Sequence, residues 1–137
     1  MKKTILVLAA NPVDTEPLRL DREIREISEG LSRASHRESF ILESVLAARP
    51  EDVRRAMLKF KPTIVHFCGH GAQDGGIAFE DDTGCSLIVT PEALSGFFKL
   101  FADQVECVVL NACYSDSQAD AIGEHIEHVV GMHGGVD

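Results

Sequence analysis

Ile64-Val65-His66-Phe67-Cys68-Gly69-His70-Gly71 and Val108-Val109-Leu110-Asn111-Ala112-Cys113-Tyr114-Ser115 decide how this chain folds. Each opens on a short apolar run bounded by small or turn-forming residues. Such a run predicts a strand buried on both faces, the kind found in parallel sheets. A histidine follows the first strand and a cysteine follows the second. In a parallel sheet both carboxyl ends open on one edge, where α/β proteins hold their chemistry. A His within reach of a Cys is the minimum requirement for thiolate nucleophilic catalysis.

Outward from these two stretches, strand and helix patterns alternate. Thr4 to Ala9 is a continuous apolar run, read as a first strand, and Asn11-Pro12 breaks it. Leu20, Ile24, Ile27 and Leu31 recur at helical spacing, predicting an amphipathic helix that ends between Gly30 and Ser35. Phe40 to Leu46 reads as the second strand. Pro50 opens a helix with Glu51 and Asp52 in its first turn, lined by Val53, Ala56, Met57 and Phe60 and stopped by Lys61-Pro62. Ile64 to Cys68 is the third strand. Ile77 to Phe79 and Ser86 to Val89 flank Asp81-Asp82-Thr83-Gly84, predicting a hairpin. Thr90-Pro91 starts a helix lined by Leu94, Phe97, Phe98 and Phe101. Val105 to Leu110 is the fourth strand, Ser115 to Glu127 a helix with Ala119, Ile122 and Ile126 inward, and His128 to Met132 a fifth strand. The expectation is one α/β domain over residues 1–137: a doubly wound, mostly parallel sheet of about five strands, helices on both faces, and a small β-hairpin. Ending on a strand leaves a sheet edge unpaired, so the pattern reads as a domain truncated on its C-terminal side, or one whose edge a partner completes.

Composition narrows the function classes. At 137 residues, 45% hydrophobic and 26% charged, the chain has one core's worth of material. A net charge of -9 offers no basic stripe for phosphates, so nucleic acid is not an expected partner. No apolar run approaches the roughly 18 residues of a membrane span. Ile5 to Ala10 reads as a strand rather than a signal peptide, which makes the cytoplasm the expected location. Cys68, Cys85, Cys107 and Cys113 form no CxxC or finger pattern, and read as free thiols in a reducing compartment.

The same residues carry a family resemblance. His70-Gly71 and Ala112-Cys113, 43 positions apart, resemble the catalytic blocks of caspase-like cysteine proteases. Leu6-Val7-Leu8-Ala9-Ala10-Asn11-Pro12, Leu18-Arg19-Leu20-Asp21-Arg22-Glu23, Phe60-Lys61-Pro62 through Gly71, and Val108 through Ser115 resemble bacterial CHAT domains. These are caspase- and separase-related proteases of signalling and defence systems. The resemblance covers the portion equivalent to the large caspase subunit, without the sixth strand. It implies a three-layer caspase-like fold, a cysteine endopeptidase acting on protein or peptide, and no cofactor. It also implies Cys113 as nucleophile, His70 as its partner, and the backbone N–H groups of Gly71 and Cys113 as oxyanion hole. A sensor module would gate such a domain, and a C-terminal subunit or a second copy would meet the open sheet edge.

Two points support these roles independently. Gly71 permits a close backbone approach that a side chain would block. Cys113 precedes a predicted helix whose N-terminal N–H groups favour a thiolate and a developing oxyanion. Asn111, which in relatives would line the pocket for the residue before the cut, is neither the Gln-type residue of caspases nor the acidic one of metacaspases. The resemblance therefore assigns no preference for Asp, Arg or Lys.

Other residues have plainer readings. His66 is expected to be a satisfied core histidine, Cys85 incidental, and Ser115 and Asp116 helix caps. Cys68 beside His70, with Cys107 and Cys113 elsewhere, lacks the paired ligand blocks of zinc, and His125, His128 and His133 form no ligand set; no metal is expected. Asp74, Glu80, Asp81 and Asp82 read as a solvated hairpin, with Asp74 a candidate for drawing a basic substrate residue. Asp137 reads equally as a processing site or a plain chain boundary. The competing function is a non-catalytic assembly module of the same fold, or an inactive piece awaiting its C-terminal half. A flavodoxin- or receiver-like domain is disfavoured, because Leu8 to Pro12 carries no Gly-rich phosphate loop and no acidic cluster.

Overall fold

In the computed structural model, which describes residues 2–72 and 76–132, the first apolar run becomes the strand β1 (Lys3–Ala9). The elements follow as α1 (Leu20–Arg33), a 3-10 turn (Arg37–Ser39), β2 (Phe40–Val45), α2 (Pro50–Phe60), β3 (Ile64–Cys68), the hairpin β4 (Ile77–Glu80) and β5 (Ser86–Val89), α3 (Pro91–Lys99), β6 (Cys107–Asn111), α4 (Asp116–Ile122) and β7 (His128–Val130). Five strands form one sheet in the order β2-β1-β3-β6-β7, each neighbouring pair parallel. β4 and β5 pair antiparallel in a separate ribbon.

The order explains the layers. The connection from β1 to β2 runs one way along the sheet, and every later connection runs the other way. Right-handed crossovers then place α1 on one face and α2, α3 and α4 on the opposite face. The hydrophobic clusters divide accordingly. Val7, Ala9 and Cys68 pack under Leu20, Ile24 and Ile27 of α1. Leu6, Leu8, Val65, Phe67, Val108 and Leu110 point the other way, against Val53 and Met57 of α2, Leu94 and Phe98 of α3, Ile122 of α4, and Ile77 and Phe79 of the hairpin. Phe67 and Phe79 meet with ring centroids 5.2 Å apart. The strand order reverses at β1 and β3, and ligands of such sheets bind outside the carboxyl ends at that point.

Local chemistry sets several boundaries. Pro91 occupies the first turn of α3, and the Thr90 hydroxyl accepts from Ala93 N–H. Lys61 closes α2 in the left-handed conformation at φ 47°. Asp81 holds the β4–β5 turn by accepting from the N–H groups of Thr83 and Cys85 and from the Thr83 hydroxyl, and Gly84 supplies φ 86°.

Three sequence expectations need correction. The helix expected to reach Glu127 stops at Ile122, and turns carry Gly123 onward while Ile126 stays buried. Gly123 weakens helix propagation, and the chain must turn there to deliver β7 beside β6. The last strand is Val130-terminated rather than Met132-terminated, for a reason given below. Of the acidic hairpin set, Glu80 is buried and accepts from Asn11 N–H, Asp81 is used by its own turn, and Asp82 pairs with Arg49 at 2.9 Å. Asp74, His133 and Asp137 lie outside the described residues.

Candidate active site

A cleft of about 370 Å³ opens at the carboxyl edge of the sheet. Gly69 and His70 reach it from the end of β3, Asn111, Ala112 and Cys113 from the end of β6, and Leu18 to Leu20 with Glu23 from the start of α1. The register explains the convergence. Cys68 is paired with Asn111, and Gly69 N–H donates to Asn111 O at 3.2 Å, so His70 and Cys113 emerge side by side. Asn11 fixes the third wall. Its side chain donates to Leu18 O at 3.1 Å and accepts from Leu18 N–H at 3.3 Å, holding the loop that feeds α1.

Gly71 sits against the cysteine loop with no room for a side chain. A Cβ built on it would lie 1.6 Å from Cys113 O and 2.8 Å from Cys113 C. Gly71 also forms an antiparallel bridge with Ile77, closed by Ala78 N–H to His70 O at 3.0 Å and Ala72 N–H to Gly76 O at 2.7 Å. In that pattern the hydrogen bonds belong to the flanking residues, so the Gly71 N–H points away from β4. His70 is half-buried; its Nε2 is enclosed and makes no hydrogen bond with a described residue.

On the other side, Tyr114 adopts φ 55°, a left-handed conformation unusual for an aromatic residue and a form of stored strain found at functional loops. The chain thereby reverses directly after Cys113 and enters α4. Ser115, expected as a cap, instead braces the turn: fully buried, its hydroxyl donates to Leu110 O at 3.1 Å and accepts from Met132 N–H at 2.8 Å. Asp116 N–H donates to Met132 O at 3.0 Å. Gly131 packs so closely that an added Cβ would stand 2.6 Å from Ser115 O. These contacts draw the chain out of β7 after Val130, which is why that strand is short. α4 itself is only two turns long and begins three residues past Cys113, so its terminus is a smaller aid to the cysteine than the sequence suggested.

Beneath the cleft lies a cluster that sequence reading did not assemble. Glu23, from the first turn of α1, accepts hydrogen bonds from His66 Nε2 at 3.4 Å and from the Asn111 side-chain amide. The Cys68 thiol lies beside it, within 4.8 Å. The hydrogen bond from His66, followed by the contacts with Asn111 and Cys68, holds the Glu23 carboxyl below its ordinary value against the opposing effect of burial. Burial, and then the neighbouring Glu23 charge, push the Cys68 thiol far up, so it remains protonated. Donor atoms of Glu23, His66 and Cys68 lie within 4.8 Å of one another, the set among the described residues able to hold a metal ion. His66 thus has the partner expected of a core histidine, and that partner lines the cleft. The available signal was the strand period of two, which puts His66, Cys68 and Asn111 on the α1 face.

None of the four cysteines forms a disulfide. No helix among the described residues is long and apolar enough to cross a membrane. A parallel five-stranded sheet between helical layers, with a small ribbon beside it and a His and a Cys at its carboxyl edge, defines a caspase-like α/β protein. The family model of the CHAT domain matches residues 2–132, and the chain belongs to that family. It is similar to a probable protease of Gillisia limnaea, 24% identical over 131 residues, covering 94% of this chain and 23% of that protein. It is also similar to a Roc-COR-CHAT protease of an unknown prokaryotic organism, 24% identical over 137 residues, covering 93% of this chain and 13% of that protein. The chain therefore spans less than a quarter of the length of either relative.

Proposed function

We propose that the chain carries the catalytic face of a cysteine endopeptidase. The observation that carries the reading is the meeting of His70 and Cys113 in one cleft, with Gly71 packed on the Cys113 backbone. Cys113 Sγ attacks the scissile carbonyl carbon and its proton passes to the His70 imidazole. The N–H groups of Gly71 and Cys113 receive the oxyanion. Collapse of the tetrahedral adduct breaks the C–N bond, and His70 returns the proton to the leaving amine. Water then attacks the thioester, releasing the acid and restoring the thiol.

Both relatives carry protease in their names, and one name joins CHAT to Roc and COR, which supports a protease gated by further modules. The substrate is a protein or peptide, the setting a cytoplasmic bacterial signalling or defence system, and the β7 edge the surface open to a C-terminal subunit, a sensor or a second copy. No metal or organic cofactor takes part in these steps.

The test is the alkylation rate of each cysteine, mapped by mass spectrometry in wild type and His70→Ala. Cys113 is expected to outpace Cys68, Cys85 and Cys107, and to lose that lead without His70. Equal rates at all four positions would favour a scaffold that assembles through the same fold.

A further inference from the structure

Glu23 is a half-buried carboxylate that no lysine or arginine neutralises among the described residues. Its side chain is 26% exposed, and its one ion-pair contact is His66. The other acids with strong contacts spend their charge elsewhere: Asp52 and Asp82 on Arg49, Glu51 on Arg55, Glu26 on Arg22. Arg19, the cationic residue on the cleft, is already engaged by Asp21 at 3.1 Å. Glu23 is thus the carboxylate that lines the cleft shared with Cys113, and its hydrogen-bond partners, His66 and the Asn111 amide, carry no fixed positive charge.

The walls suit a particular shape of cation. Leu18, Leu20 and Met132 line the same cleft and offer apolar surface to an aliphatic stem, and Glu23 lines it with a carboxylate for a charged tip. Asn111, two residues before Cys113, hydrogen-bonds Glu23 and ties the carboxylate to the cysteine loop. A residue whose carbonyl meets Cys113 Sγ has its own side chain two bonds away, which puts the cleft lined by Cys113 and Glu23 within its reach.

Building on the protease reading above, we infer that Glu23 is the specificity-determining residue of the site and selects substrates with Lys or Arg immediately before the cut. The sequence offered Asp74 as the attractor of a basic residue. The structure supplies a different carboxylate, in the first turn of α1, held in place by His66 and the Asn111 amide.

The experiment labels this chain with peptidyl acyloxymethyl ketones that differ only in the side chain next to the ketone: Lys, Arg, Leu or Asp. In each, Cys113 Sγ displaces the carboxylate leaving group, and labelling is quantified at Cys113 by mass spectrometry, so no turnover is required. The Lys and Arg probes are expected to label at least tenfold faster than the Leu and Asp probes. Glu23→Gln should erase that ratio, and Glu23→Lys should shift it toward Asp. Because a variant can misfold, the wild type supplies a second readout: raising salt from about 0.05 to 0.5 M should shrink the Lys/Leu ratio. A Leu or Asp probe as fast as Lys, or a salt-independent ratio, overturns the inference while leaving the protease reading in place. A Cys113 that reacts with no probe, and no faster than Cys85 toward iodoacetamide, overturns both.

Discussion

Replacing Gly71 by alanine tests whether the two loops are truly seated on each other. The new Cβ would stand 1.6 Å from Cys113 O, whereas a carbon–oxygen contact needs about 3.3 Å, so the loops must part by roughly 1.7 Å. The obstruction is backbone, so no side chain can rotate out of the way. Either the Cys113 loop moves, or the Gly71–Ile77 bridge opens and loses the hydrogen bonds at Ala78 and Ala72. Two net hydrogen bonds are worth about 2 kcal/mol. At this chain length that corresponds to a fall in Tm of roughly 8 °C. A misplacement beyond about 1 Å at reacting groups costs about 100-fold in rate, so the His70-dependent alkylation of Cys113 should fall by that order. Thermal denaturation by circular dichroism and timed alkylation with peptide mapping read the two effects. An unchanged Tm together with an unchanged Cys113 rate would refute the close seating, and with it the oxyanion site built on it.

Four further outcomes follow from contacts described above. Ser115→Ala removes a buried hydroxyl that serves Leu110 O and Met132 N–H, and should cost about 1–3 kcal/mol in urea denaturation. Cys68, buried and with its thiol pushed up, should resist iodoacetamide in the native protein and react only on unfolding. Glu23 has its folded carboxyl below the ordinary 4.5, so between the folded value and 4.5 it binds fewer protons folded than unfolded. Its contribution is therefore present above pH 4.5 and is lost as the pH falls through the folded value, and acid denaturation of Glu23→Gln should show a shallower decline there. Asn11→Ala should free the Leu18 loop, and the sign to look for is faster hydrogen exchange at Leu18 with little change at β6.

Much of the fold was legible because buried parallel strands and amphipathic helices leave different periods in the sequence. Leu20, Ile24 and Ile27 marked the inner stripe of α1, and Pro91 and Lys61 marked helix ends by chemistry that acts within a few residues. His70 and Cys113 stood out for the same local reason: each follows a strand end. What stayed hidden depends on contacts distant along the chain. Glu23 entered the sequence reading only as the end of the Leu18–Glu23 block, because its contacts with His66 and Asn111 exist only once α1 docks over β3. Ser115 looked like a cap, since that role is visible within one turn, whereas its bond to Met132 requires β7 to lie alongside β6. α4 was overextended because Ile126 continues the helical period even though turns, not a helix, carry it inward.

The brace at Ser115 also has a dynamic meaning. β7 is three residues long and edges the sheet among the described residues, so on stability grounds it is a segment expected to open before the central strands. Yet Met132, two residues beyond it, is bonded in both directions to the turn that follows Cys113. Fraying of that edge is therefore expected to loosen the cysteine loop with it, and the amides of Asp116 and Met132 should exchange with solvent at matched rates. A protein that clamps the edge strand would slow both together, tightening the loop of Cys113 without touching the cleft.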